Sequence, residues 1–244
     1  MNEHRFQQFT GWTAFISMFF AWGTIVVSLI AVGLDLDTFY ASVSENAAGM
    51  LPILARNPSL AWWPSIFDLF GFYLLLIPLA LYLWRRYQPQ YGQWSDLFSV
   101  CGLGYLLFGA MGASVLAVVF SSQAGAYGAA GGTEQAAITA VFAAFGEAIQ
   151  RGVWGILDPL LAGVWWLSFG WLLRREWRAL GWTTIVLGLL NLVGGLSAAI
   201  PLEAVAGFCL NAYFVLAPLW AGWMGWLLLR RKPAAVRSAS GFSV

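Results

Sequence analysis

RGVWGILDPLLAGVWWLSFGWLLRR, residues 151–175, is an apolar run fenced by Arg151 in front and by Arg174 and Arg175 behind. It exceeds the about 20 residues that a helix needs to cross a bilayer. One acid, Asp158, sits inside it and is followed at once by Pro159. Weaker versions of the same pattern recur on both sides, so the stretch reads as one span of several.

Composition agrees. The chain is 60% hydrophobic and 9% charged, against about 25% charged for a soluble domain. A core of this size has no room for so much apolar surface, and lipid is the solvent that accepts it. The net charge of +1 gives no field that would attract nucleic acid, and no basic patch interleaved with aromatics suggests one.

Working outward gives six spans: roughly 12–33, 63–84, 97–120, 152–173, 180–200 and 205–229. The N-terminal run is too long for a signal peptide's apolar core and is read as a retained span. A loop of about 30 residues comes after span 1 and holds a candidate interfacial helix. The Gly/Ala-rich SSQAGAYGAAGGTEQ, residues 121–135, reads as a second long loop, with Thr133 able to cap the next helix. Residues 134–150 read as that helix, which either lies on the surface or leads straight into span 4. The fold class is therefore all-α: one six-span membrane domain over residues 1–232 and a flexible tail over 233–244.

Basic residues set the expected orientation. Arg5, Arg85, Arg86, Arg174, Arg175, Arg178, Arg230, Arg231, Lys232 and Arg237 fall on one side of six alternating spans, and only Arg56 and Arg151 on the other. Both termini are expected in the cytoplasm, with the chain in the inner (plasma) membrane. Cys101 and Cys209 then lie near opposite faces, too far apart for a disulfide. Spans 2, 4 and 6 end LYLWRR, WLLRR and WLLLRR, and DPLLAG in span 4 answers APLWAG in span 6. Three parallel helical hairpins are one reading; similar composition of apolar helices is the other.

Asp68 and Asp158 are the main candidates for chemistry. Each lies five or six residues inside the outer end of its span, roughly 8–9 Å down at 1.5 Å per residue. A charge at that depth costs about 2–3 kcal/mol unless it is paired or wet, so both acids should face the bundle interior. Two carboxylates together would make a proton or cation site; apart, each would sit at the wet rim or bond a helix end. Tyr73, Asn191 and Asn211 complete a candidate outward-opening ligand pocket, or act as interhelical hydrogen-bond glue. Arg151 joins that pocket, pairs with Glu147, or simply anchors the interface. Trp62, Trp63 and Trp154 fit an aromatic belt, or a cage around a cation.

The absences bound the function classes. The only histidine is His4 and the only lysine Lys232, both outside the spans. Bis-His haem, intramembrane zinc, histidine-dependent nucleophilic catalysis and a retinal Schiff base are thereby disfavoured. No catalytic residue, metal site or cofactor is expected, and an enzyme is the least favoured class.

NPSLAWWPSIFDLFGFYLLLIPLALYLWRR (57–86), GGTEQAA (131–137) and DPLLAGVWWLSFGWLLRR (158–175) resemble a group of small six-span bacterial integral membrane proteins of unknown function. The resemblance implies the six-span fold and brings no activity and no functional residues. The leading expectation is a non-enzymatic accessory or assembly subunit of a larger membrane complex, with lipid and other membrane subunits as partners. The alternative is binding or transport of a small solute, cation or lipid near Asp68 and Asp158.

Overall fold

The computed structural model describes residues 3–33, 47–200 and 202–231. The tail 233–244, Lys232, Pro201 and residues 34–46 of the first loop, including Asp35, Asp37 and Glu45, lie outside the described residues. All regular structure among the described residues is helical. The helices are α1 (Glu3–Ala31), α2 (Ala47–Leu54), α3 (Trp63–Asp68), α4 (Ile77–Tyr91), α5 (Gln93–Ala129), α6 (Thr133–Glu147), α7 (Asp158–Leu173), α8 (Arg178–Ala199) and α9 (Glu203–Arg230).

Two interruptions join these pieces into six spans. A wide π turn (Leu69–Tyr73) and a tight turn (Leu74–Leu76) carry α3 into α4. A π-helical stretch, Ala148–Leu157, carries α6 into α7. The resulting spans are Glu3–Ala31, Trp63–Tyr91, Gln93–Ala129, Thr133–Leu173, Arg178–Ala199 and Glu203–Arg230, all long and apolar enough to cross a membrane. The protein is a multi-pass membrane protein.

Two expectations change. Span 3 does not stop at residue 120: α5 runs on to Ala129 through the Gly/Ala-rich segment. Alanine is the strongest helix former, and Ala117, Ala124, Ala126 and Ala129 offset the glycines. The turn shrinks to residues 130–132. Thr133 does not cap α6, because Gly132, at φ +55, holds the cap position and no side chain bonds the helix end. Of the two readings of 134–150, the one that leads straight into span 4 holds: the segment continues through the π-helical stretch into a span of 41 residues. At 1.5 Å per residue α5 is about 55 Å long, against about 30 Å of hydrocarbon. The α5–α6 hairpin is thus longer than the hydrocarbon is thick, and its turn lies at the end away from the arginines. There Phe120 stacks on Phe142 at 4.7 Å, and α2 packs Leu51 and Leu54 into the same cluster. The candidate interfacial helix of the first loop is this α2, as far as the described residues reach.

The spans form a closed ring, each packed on the next, with span 6 returning to span 1. Spans 4 and 5 approach closely: a Cβ on Gly188 would lie 2.5 Å from the Leu167 backbone nitrogen. Between spans 6 and 1, Gln7 Nε2 donates to the carbonyls of Leu228 at 2.7 Å and Arg231 at 3.2 Å. One side chain thus satisfies carbonyls left open at the end of α9. Both described ends of the chain meet at the arginine-rich end.

Aromatic rings, not a pore, fill the ring's centre. Tyr73, Tyr105, Trp165, Phe169 and Tyr87 succeed one another with centroids 5.7, 6.0, 6.2 and 6.0 Å apart. Trp166 and Trp220 pack edge-on at 4.3 Å beside them. Outward faces are largely apolar, as in the stripe Phe9, Trp12, Ile16, Phe19, Val26 and Ile30 on α1, which is what lipid requires.

Candidate functional site

Asp68 ends α3 and Asp158 begins α7. Each therefore stands at a helical interruption, at the start of one wide turn and the end of the other. Proline removes a donor and its ring crowds the carbonyl four residues back, which a wide turn upstream relieves. Pro78 and Pro159 come just after the two interruptions, yet Pro218 sits in an unbroken α9. Proline alone does not make the wide turns. In these two spans the turn and the acid occur together.

Both acids are buried, at 7% and 8% exposure. Asp68 Oδ2 and Asp158 Oδ1 have no hydrogen-bond partner among the described residues. The two carboxyls lie within electrostatic reach of each other and of Tyr73, Tyr105 and Tyr213. The described ion pairs all lie elsewhere, at the two ends of the bundle.

Tyrosines organise the floor beneath the acids. At Tyr73 the backbone leaves the helical region (φ −127, ψ −75), so carbonyls of that turn lose their usual partners. Tyr105 supplies one: its hydroxyl donates to the Phe72 carbonyl at 3.0 Å. Its proton is then committed, so in the 2.7 Å contact with Tyr213 Oη, Tyr213 is the donor. Span 3 makes room with Gly109, where a Cβ would overlap the Tyr73 ring. The Gly109 carbonyl accepts from Trp154 Nε1 at 3.3 Å.

Of the residues singled out in the sequence, the structure gathers Asp68, Asp158 and Tyr73. Asn191 is buried but donates to Leu187 O in its own helix at 2.8 Å. Asn211 is exposed and donates to Gly207 O. Arg151 is exposed too, paired with Glu147 at 3.4 Å and Glu203 at 3.0 Å, and so ties span 4 to span 6 at the rim. Trp154 turns inward, while Trp62 and Trp63 stand exposed. Sequence reasoning misses Tyr105; nothing in its apolar, glycine-rich surroundings marks it. Both cysteines are free.

A second polar cluster closes the arginine-rich end. Glu176 accepts from Arg86 Nε at 3.2 Å, from a second Arg86 nitrogen, from Tyr87 Oη at 3.2 Å and from Arg231 Nη1 at 3.4 Å. Burial alone would raise the Glu176 carboxyl; the hydrogen bond and charge of Arg86, with Tyr87 and Arg231, outweigh it and hold the group below its ordinary 4.5. The ends of spans 2, 4 and 6 are thus knotted at one carboxylate. In each Arg-Arg pair the first arginine stacks on an aromatic ring: Arg85 on Phe6, Arg174 on Trp182 and Arg230 on Trp226. The second arginine also lies over a ring and makes a hydrogen bond besides, Arg86 and Arg231 to Glu176 and the exposed Arg175 to Tyr91.

No family model, curated protein or solved structure matches the chain.

Proposed function

We propose that the protein binds a single positive charge, a proton or a small monovalent cation, between Asp68 and Asp158, and exchanges it with the side away from the arginines. The observation that carries this reading is the pair itself. Two buried carboxyls with orphaned oxygens lie within electrostatic reach of each other, with no counter-charge among the described residues. Leaving both ionised in a helix bundle would cost several kcal/mol, at least about 2 to 3 for each. A shared proton or a bound cation removes that cost. The wide turns beside both acids support the reading, since such turns recur at functional positions in helices. The aromatic column and the Glu176 cluster block the opposite route, so exchange is one-sided in this conformation.

Excess arginine at the closed end supports a cytoplasmic location for both termini in the plasma membrane, with the acid pair nearer the outside. The accessory-subunit reading finds no specific observation in its favour: the apolar outer faces need only lipid.

The test uses purified protein in detergent and in liposomes. Infrared difference spectra across a pH titration should contain a protonated-carboxyl band that Asp68→Asn and Asp158→Asn each abolish; added sodium or potassium should shift it. A gradient of the effective ion across liposomes should drive charge movement in the wild type and not in either variant. Identical spectra and identical charge movement in wild type and both variants would sink the proposal.

A further inference from the structure

We infer that the arginine-rich end carries a built site for one anionic phospholipid, in a lateral groove between spans 3 and 4. The inference stands apart from the acid pair, which lies at the other end of the bundle. Tyr91, Trp94, Phe98, Leu167, Trp171 and Leu172, with Ser168, line a groove of ≈ 450 Å³ on the outer surface of the ring. Its walls are almost wholly apolar and its position is in the lipid-facing belt, so a hydrocarbon chain is the occupant that costs no desolvation.

What selects an anionic headgroup is the guanidinium at its mouth. Arg175 donates Nη1 to Tyr91 Oη at 2.7 Å and stacks 4.8 Å above the Trp171 ring. Two groove residues thereby hold it in place, and the residue itself is exposed. A held, planar arginine suits two oxygens of one phosphate. Of the nearby acids, Glu176 is neutralised by Arg86 and Arg231, and Asp96 accepts from Trp84 Nε1 of span 2 at 2.7 Å. Trp94 and Trp171 stand exposed at the groove's edge, at the depth where an indole bridges headgroup and chain. Arg174 and Arg178 add positive potential without touching the groove.

The experiment is native mass spectrometry of the full chain with equal amounts of phosphatidylglycerol and phosphatidylcholine of the same acyl chains. The wild type should retain one phosphatidylglycerol in preference. Arg175→Gln should lower that preference about fivefold, the effect of one basic group near a membrane surface. Arg175→Lys should keep part of it, and Ser168→Trp, which fills the groove, should remove retention of both lipids. Arg178→Gln separates a site from bulk charge and should leave the preference intact. Equal retention of the two lipids by the wild type overturns the proposal. So does a loss in Arg178→Gln as large as in Arg175→Gln, or an undiminished preference in Arg175→Gln. Free glycerol phosphate competing as well as the whole lipid would also overturn it, since the acyl groove would then contribute nothing.

Discussion

Gly109 shows how much of the site depends on one missing side chain. The Tyr73 ring occupies the space that a Cβ would take. Gly109→Ala must push that ring and the interrupted turn beneath Asp68. Overpacking of this kind costs typically about 1–3 kcal/mol, which should appear as a lower thermal midpoint in detergent. Gly207→Ala, where a Cβ meets nothing within 4 Å, should be neutral or slightly stabilising, because alanine favours the helix. Equal loss in both variants would mean the contact at Gly109 is not what matters. At this scale the sequence exposes Asp68 and Asp158, because an acid inside an apolar run has few innocent explanations. It hides Tyr105 and Glu176. A tyrosine in a glycine-rich span looks like filling, and an acid beside three arginines looks like a solvated charge.

Elements are legible in number but not in outline. Six spans emerge from run length and from arginine stops. The wide turns do not, since Pro78, Pro159 and Pro218 look alike in sequence while only the first two come after an interruption. The α5–α6 extension stays hidden because glycine and alanine occur together in 121–131, where glycine signals a loop and alanine a helix. At the break in span 2, Tyr105 acts as a local substitute for a helical hydrogen bond. Tyr105→Phe removes the donor to Phe72 O and the acceptor for Tyr213. A buried carbonyl left unsatisfied costs about 1–3 kcal/mol, so this variant should be destabilised by that order. Tyr213→Phe loses only the outer link and should cost less. In the double variant the losses should not add; strict additivity in thermal unfolding would argue against a connected chain.

The two ends of the molecule differ: the buried acid pair lies toward one, and the Glu176 cluster ties the spans together at the other. Reporter fusions should locate both termini on the cytoplasmic side; an external terminus would reverse which compartment the acid pair serves. The knot makes a further pH-dependent prediction. Glu176 sits below its ordinary value because Arg86, Tyr87 and Arg231 favour its ionised form over the burial that opposes it. A carboxyl whose value is lowered by folding contributes stability that is complete above its unfolded value near 4.5 and is lost as pH falls through the lower folded value. The cluster is partly exposed, so its worth is modest, on the order of 1 kcal/mol or less. Wild type should therefore lose more stability than Glu176→Gln between pH 6 and pH 3, and Glu176→Gln should be the less stable at pH 6. Raised salt should narrow that gap, since exposed pairs are screened. The Asp68→Asn, Asp158→Asn background separates this from the acid pair: if the difference between Glu and Gln at position 176 disappears there, the titration belongs to the aspartates and the closed end is not held by Glu176.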